Sequence, residues 1–275
     1  MTRPDRHPAF RRLSAFLMDH SPPLIAFSGG ADSAFLVWAA HRLLGSRMLA
    51  VTLRTPYMRR QEIDEAEAFC RRYGIPHSVM SLPMPSSLQN NPRNRCYLCK
   101  QFLFSELLRR ARDERFCCVM EGSHVGDLQE HRPGQQAIRE LGVVSPLASV
   151  GLDKDLIREL SRAAGLPTWD KPSNTCLLTR FPYAHPIDNT LLERVEKAET
   201  FLQNKGFRHL RVRTHALLAR IEVPPDRIGD LVKEPMVSEI TRKLKALGYQ
   251  FVTVDLEGFR SGSYDRTEKK EEHGQ

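Results

Sequence analysis

Apolar and polar positions along the chain follow two rhythms, and the first half alternates between them. Residues 9 to 20 place Phe10, Leu13, Phe16 and Leu17 on one face at helical spacing. A short apolar run, Leu24-Ile25-Ala26-Phe27, then breaks off in Ser28-Gly29-Gly30-Ala31-Asp32-Ser33, and AFLVWAAHRLLG predicts the helix that follows. MLAVTL (48–53) predicts a second buried strand, QEIDEAEAFCRRYG a helix stopping at Gly74, and HSVMSL (77–82) a third strand. The proline-bearing loop PMPSSLQNNPRN leads through RCYLCK into the helix QFLFSELLRRAR. CCVMEGS (117–123) reads as a fourth strand, and apolar VVSPL with the helix KDLIRELSRAAG completes this half. Strands alternating with helices of this length predict an α/β fold, a parallel sheet with helices on both faces. Ligand-binding residues in such a sheet gather at one edge, where the strands end.

Near residue 170 the pattern changes. Residues 191–206 form an amphipathic helical stretch, HLRVRTH and LLARIEV two alternating strands, 226–232 and 235–247 a pair of helices, and YQFVTVDLE a last strand. The expected organisation is a first domain over 1–170, a smaller α+β domain over 171–264, and a tail over 265–275. That tail, DRTEKKEEHGQ, is too charged to bury a core and reads as disordered.

Composition narrows the function classes. A hydrophobic share of 41% and a charged share of 27% are ordinary for a globular protein of 275 residues. No apolar run approaches the ~20 residues of a membrane span, and the basic start MTRPDRHPAFRR is not followed by an apolar signal core. The expectation is a cytoplasmic protein with no membrane partner. Six cysteines in a chain this long point to metal or catalytic roles ahead of a disulfide scaffold. A net charge of +8 suits phosphorylated ligands and is weak evidence for nucleic acid.

The glycine turn after the first strand carries the chemistry. A buried strand, a Gly-rich turn and a helix start aim backbone N–H groups at an anion. Gly29 and Gly30 admit a ligand close to the main chain, Ser28 and Ser33 add hydroxyl donors, and Asp32 is useful there only if a divalent cation or a donor accompanies the phosphate. The alternative is an ordinary turn capped by Asp32. The stretch resembles the PP-loop of the ATP pyrophosphatase superfamily, SGG-x-DS, whose members attack the α-phosphate of ATP and release pyrophosphate. Neither G-x-x-x-x-G-K-[ST] nor G-x-G-x-x-G occurs in the chain.

Three cysteines stand apart. Cys96 and Cys99 form C-x-x-C, read as a loop entering a helix between Arg95 and Lys100, and Cys176 lies in SNTCLLTRFPY. The pair alone admits half a zinc site, a redox pair or coincidence. Three thiolates on one iron–sulfur cluster would leave an iron open for a sulfide, whereas a lone Cys176 reads as a small buried residue. Cys70, Cys117 and Cys118 read as core.

EGSHVGDLQEHRPG, SPL, GLPTWDKPSNTCLLTRFPY, LRVRTHALLARIEV and YQFVTVDLEGFRSGS, spread over residues 24 to 264, are similar to the LarE family. Those proteins are ATP-dependent sulfur transferases of nickel-pincer nucleotide cofactor synthesis. The resemblance implies adenylylation of a carboxylate of a pyridinium dicarboxylate mononucleotide, then displacement of AMP by sulfur. In some members a cysteine is sacrificed; in others three cysteines hold a 4Fe-4S cluster, and Cys96, Cys99 and Cys176 match the latter. It further implies ATP over Ser28, Gly29, Gly30, Asp32 and Ser33 with Ala26 and Leu53 near the adenosine, Arg132 reaching the nucleotide, and a homo-oligomer. Asp127, Glu199 and Glu222 would hold Mg²⁺; read without the resemblance, each is a surface acid. Arg211 and Arg213 share a strand face and would clamp a phosphate or AMP, the alternative being a solvated face. Thr179 and Arg180 would orient what Cys176 binds. The chain departs from the family at His124, often Asn, at Gly126, often acidic, and at Ala184, often Gly. A tRNA-thiolating PP-loop enzyme and a non-enzymatic nucleotide sensor remain the competing classes, although no basic stripe with interleaved aromatics accompanies the first.

Overall fold

The computed structural model of the protein describes residues 4–129, 133–172 and 175–260. Arg132 and the charged tail lie outside the described residues. The chain forms two compact units: the described residues of 1–88 with those of 94–174, and the described residues of 89–93 with those of 175–275.

In the first unit α1 (Pro8–Asp19) precedes β1 (Pro23–Ala26), α2 (Ala31–Leu44), β2 (Leu49–Arg54), α3 (Arg60–Tyr73), β3 (His77–Ser81), α4 (Arg95–Asp113) and β4 (Cys118–Met120). Four shorter helices follow: α5 (Val125–Gln129), α6 (Pro133–Glu140), α7 (Pro146–Ser149) and α8 (Lys154–Ala163). The sheet order is β3-β2-β1-β4 and every pairing is parallel, Leu24 facing Leu49 on one side and Val119 on the other. This is the expected α/β fold of PP-loop type. β1 is central, which explains its unbroken apolar run: Leu24 and Ile25 are fully buried. Helix α2 is apolar on nearly all sides because ten of its residues, Ala31 and Ser33 to Ala40 with Leu44, are buried. Val144 adds a single parallel bridge beside Met120.

The second unit joins α9 (Asn189–Asn204), β5 (Arg211–His215), β6 (Leu218–Glu222), α10 (Ile228–Leu231), α11 (Met236–Ala246) and β7 (Phe251–Val254). Its sheet runs β5-β6-β7, antiparallel then parallel, over a core that includes Leu202, Val212, Ile221 and Leu244. Residues 89–93 belong here because of Asn91. Fully buried, its amide nitrogen donates to the carbonyls of Leu178, Phe181 and Pro182 at 3.2, 3.1 and 2.8 Å. Its own carbonyl accepts the N–H of Ala184, which sits at φ 55°, a left-handed conformation that glycine adopts at least cost.

Two sequence expectations are corrected. Cys96 and Cys99 lie inside α4, in its first two turns, because the helix begins at Arg95 directly after the Pro92–Asn94 turn. Cys117 is exposed and so not core, whereas Cys118 is partly buried and packs against the main core; the strand starts one residue later than expected, and Cys117 occupies the bend before it. Among the described residues, no helix is long and apolar enough to cross a membrane.

Arg180, fully buried, makes a bidentate pair with Glu199 of α9, Nε to Oε1 at 2.8 Å and Nη2 to Oε2 at 3.0 Å, and Oε1 also accepts the Val212 N–H of β5 at 2.9 Å. Replacing Glu199 with Ala leaves a buried guanidinium without its counter-ion and is expected to cost about 3–5 kcal/mol. The check is the denaturant midpoint of the second unit's transition.

Candidate functional site

β1 lies between β2 and β4, so connections leave it on both sides, and the turn after Ala26 opens at that switch point. Gly29 has φ 73°, and a Cβ there would meet the Glu62 carbonyl at 3.2 Å and the Ala66 Cβ at 3.3 Å. From the other side, a Cβ on Gly122, in the loop after β4, would lie 2.9 Å from the Ser33 nitrogen. The head of α2 is thus pressed between α3 and the β4 loop. Ser28 and Ser33 hydroxyls sit 3.0 Å apart and Ser33 donates to the Gly30 carbonyl at 3.2 Å, fixing both hydroxyls at the helix start. Ala26 ends β1 and Leu53 lies near the end of β2, both partly exposed beside this turn's strands.

Asp32 does not cap the helix. The cap position is Gly30, without a side-chain bond, and the Asp32 Oδ1 is buried with no hydrogen-bond partner among the described residues. Burial pushes its carboxyl up; His124, Lys154 and Arg158 pull it down, and Asp127 pushes it up again. A buried carboxylate oxygen left unsatisfied beside a second acid is chemically ready for a cation.

The β4 loop is braced from below by Glu121, whose carboxylate accepts from the Ser123 N–H and hydroxyl at 3.0 and 2.7 Å and from Ser145 at 2.5 Å. Beyond it, His124 sets its Nε2 3.4 Å from Asp127 Oδ2, and the same oxygen accepts the His124 N–H at 3.2 Å. A Cβ on Gly126 would stand 3.0 Å from His124 Cε1. Two of the departures from the family pattern are therefore in contact distance: the imidazole lies beside the point where a side chain at 126 would start.

Cys96 is exposed and Cys99 partly buried, one turn apart on α4, with the fully buried Tyr57 hydroxyl 3.4 Å from Cys99 Sγ. In the second unit Cys176 precedes a 3-10 turn, Leu177–Arg180. Arg180 Nη1 donates to the carbonyls of Thr175 and Cys176 at 3.1 and 3.2 Å and to the hydroxyls of Thr175 and Thr179 at 2.7 Å each. Arg180 therefore shapes the Cys176 loop from inside the fold. The solvated reading of Arg211 and Arg213 is corrected: both are buried, because Arg213 pairs with Glu222 at 3.0 Å and donates to the Thr179 carbonyl, while Arg211 donates to the Leu210 carbonyl and lies 5.0 Å over the Phe259 ring.

Glu199 and Glu222 are likewise not surface acids; both are fully buried and bound to arginines, Glu222 also to Arg220 at 3.2 Å. Among the described residues no three His, Cys, Asp or Glu side chains gather closely enough to hold a metal ion. Sequence reasoning missed Lys171, in the WDKPSN run, whose ammonium donates to the Gly29 carbonyl at 2.8 Å and pairs with Glu65 at 2.7 Å. Gly122 was also missed, since a glycine after an apolar strand signals a turn and says nothing of which neighbour it must clear.

A parallel sheet whose first strand ends in Ser-Gly-Gly at the switch point defines a PP-loop protein. No family model matches the chain. It is 32% identical to a pyridinium-3,5-bisthiocarboxylic acid mononucleotide synthase of Lactiplantibacillus plantarum, over 93% of each chain. It is 37% identical to an uncharacterised protein of Synechocystis, over 92% of this chain and 96% of that one. A second uncharacterised relative, from Methanocaldococcus jannaschii, is 31% identical over 86% of this chain and 90% of its own. The chain belongs to the family of the bisthiocarboxylic acid mononucleotide synthase, the LarE family.

Two substitutions test the turn. Gly122→Ala drives a methyl into the Ser33 backbone and is expected to lower stability by about 1–3 kcal/mol, read from the denaturant midpoint. Asp32→Asn has effects of opposite sign. Because burial raises the Asp32 carboxyl, the folded state favours its protonated form; that contribution is present below the carboxyl's unfolded pKa and is lost as pH rises through the folded one. Asp32→Asn should thus raise the melting temperature of the free protein at neutral pH, with the gain shrinking toward acid, while turnover falls at least ~100-fold. Thermal melts across pH and a turnover assay measure both.

Proposed function

We propose that this chain is an ATP-dependent sulfurtransferase that activates a carboxylate of a pyridinium dicarboxylate mononucleotide by adenylylation and replaces the AMP with sulfur, giving a thiocarboxylate. The observation that carries the reading is the match to a synthase of that product class along 93% of the chain, the glycine turn included. A pinched turn with two hydroxyls and a helix start supports it, since those groups grip phosphate.

In this reading the N–H groups of Gly29 and Gly30 and the hydroxyls of Ser28 and Ser33 hold the phosphates, with Ala26 and Leu53 toward the adenosine. Asp32 and Asp127 would hold Mg²⁺, which would supply positive charge beside the phosphates during attack at the α-phosphorus. Lys171 fixes the Gly29 peptide and so the curvature of the cradle. Arg180 and Thr179 hold the Cys176 loop in shape, and Arg213, through the Thr179 carbonyl, supports it from β5. Glu199 and Glu222, already neutralised by arginines, serve as internal anchors for that loop and strand.

For sulfur, the thiolate chemistry of Cys96, Cys99 and Cys176 fits an iron–sulfur cluster, and the exposure of Cys96 leaves it open to assembly. Such a cluster would supply a sulfide at the iron that no cysteine ligates. The Tyr57 hydroxyl beside Cys99 would donate to that thiolate and hold it in place.

Anaerobically purified protein, given ATP and the pyridinium dicarboxylate mononucleotide, is expected to release pyrophosphate and yield thiocarboxylate by mass spectrometry. Iron and sulfide should be present at about four atoms per chain, and Cys96→Ser should abolish both iron and repeated turnover. A colourless, iron-free protein that turns over once and leaves dehydroalanine at 176 would replace the cluster with a sacrificed cysteine. No pyrophosphate with this substrate would sink the reading altogether.

A further inference from the structure

At the far end of the sheet from the glycine turn, two thiols meet. Cys118 pairs with Pro23, the first residue of β1, whereas the turn follows Ala26, the last. Consecutive residues of a strand send their side chains to opposite faces. Here the bend at Cys117, held by its N–H on the Pro22 carbonyl at 2.8 Å, turns both sulfurs the same way. The two Sγ atoms stand 3.5 Å apart and both face the carbonyl oxygen of His20, at 2.9 Å from Cys117 and 3.6 Å from Cys118. Cys117 is exposed and Cys118 half-buried, so the pair opens to solvent on one side.

We infer that Cys117 and Cys118 form a vicinal dithiol site for a soft, thiophilic centre of pyramidal geometry, the class of the trivalent arsenicals. The separation selects the geometry. Two bonds of ~2.3 Å to sulfurs 3.5 Å apart enclose an angle of roughly 100°. A linear two-coordinate ion would require the sulfurs about 4.6 Å apart at the same bond length. A pyramidal centre therefore needs no movement of the backbone, and the His20 carbonyl already draws both S–H groups to one side.

The binding step with an organoarsenic(III) oxide balances without electron transfer. Each thiol forms one S–As bond and gives its proton to the oxide oxygen, which leaves as water. Burial, with the neighbouring thiol second, pushes the Cys118 thiol up to about 12, so it stays protonated until the arsenic takes it. The site is independent of the sulfur-transfer reading and shares no residue with it.

The probe is phenylarsine oxide, added in excess glutathione to the full chain carrying Cys96→Ser and Cys99→Ser, which removes the competing C-x-x-C. Native mass spectrometry should show one phenylarsenic per chain, displaced by a small dithiol and untouched by the monothiol. Adding Cys117→Ser or Cys118→Ser should weaken uptake by at least ~100-fold, since a second thiol on the same chain acts at a high effective concentration. Cys117 is exposed, so its serine variant keeps the fold, with an unchanged circular dichroism spectrum as the control. Uptake that survives both serine substitutions, or no uptake in the parent, would overturn the site.

Discussion

The structure depends most on how closely backbone approaches backbone at the head of α2. Gly29 leaves no room for a Cβ against α3, and Gly122 leaves none against Ser33 from the opposite side. Close approach from both flanks means that the turn cannot drift toward either, so the N–H groups at the start of α2 face outward together. A Cβ at Gly122, 2.9 Å from the Ser33 nitrogen, would force backbone to move, and one at Gly29, 3.2 Å from the Glu62 carbonyl, would press on α3. Asp32 sits at the same helix head: its Oδ1 is buried with no hydrogen-bond partner among the described residues, and burial raises its carboxyl.

The second unit uses charge differently. Arg180 and Arg213 are among the side chains one would assign to substrate, yet each is turned inward on a glutamate and each donates to the backbone around Thr179 and Cys176. A buried ion pair is a poor source of net stability but a strong constraint on geometry, since breaking either half is costly. The loop that carries Cys176 is anchored by the buried Leu177, Leu178 and Phe181 that follow it. Guanidinium donors, with their fixed fork, set its carbonyls.

Much of this was legible in the sequence. The alternation of strand and helix, the order of the first four strands' elements and the glycine turn follow from apolar periodicity and from Ser-Gly-Gly standing at the end of β1. Burial of charge was not legible. Arg211-Val212-Arg213 has the spacing of a half-solvated strand, and only the pairing of Arg213 with Glu222 across two neighbouring strands shows that its charged residues point into the unit. The five residues around Asn91 were equally opaque, because a polar residue at φ 45° whose amide serves three distant carbonyls has no periodic signature. Cys117 misled for a simpler reason: a cysteine next to an apolar run looks like strand core until a bend is placed there.

His124 and Gly126 show how a site can depart from its family and keep its architecture. An imidazole is larger than an amide, and a histidine at 124 would crowd any Cβ at 126, whose ideal position lies 3.0 and 3.2 Å from its ring atoms. With glycine at 126 the ring fits, and its Nε2 reaches Asp127 at 3.4 Å. Asp127, which accepts the His124 N–H and lies near its ring, is one of the groups that raise the Asp32 carboxyl, while His124 lowers it; the loop after β4 thus acts on the glycine turn through charge.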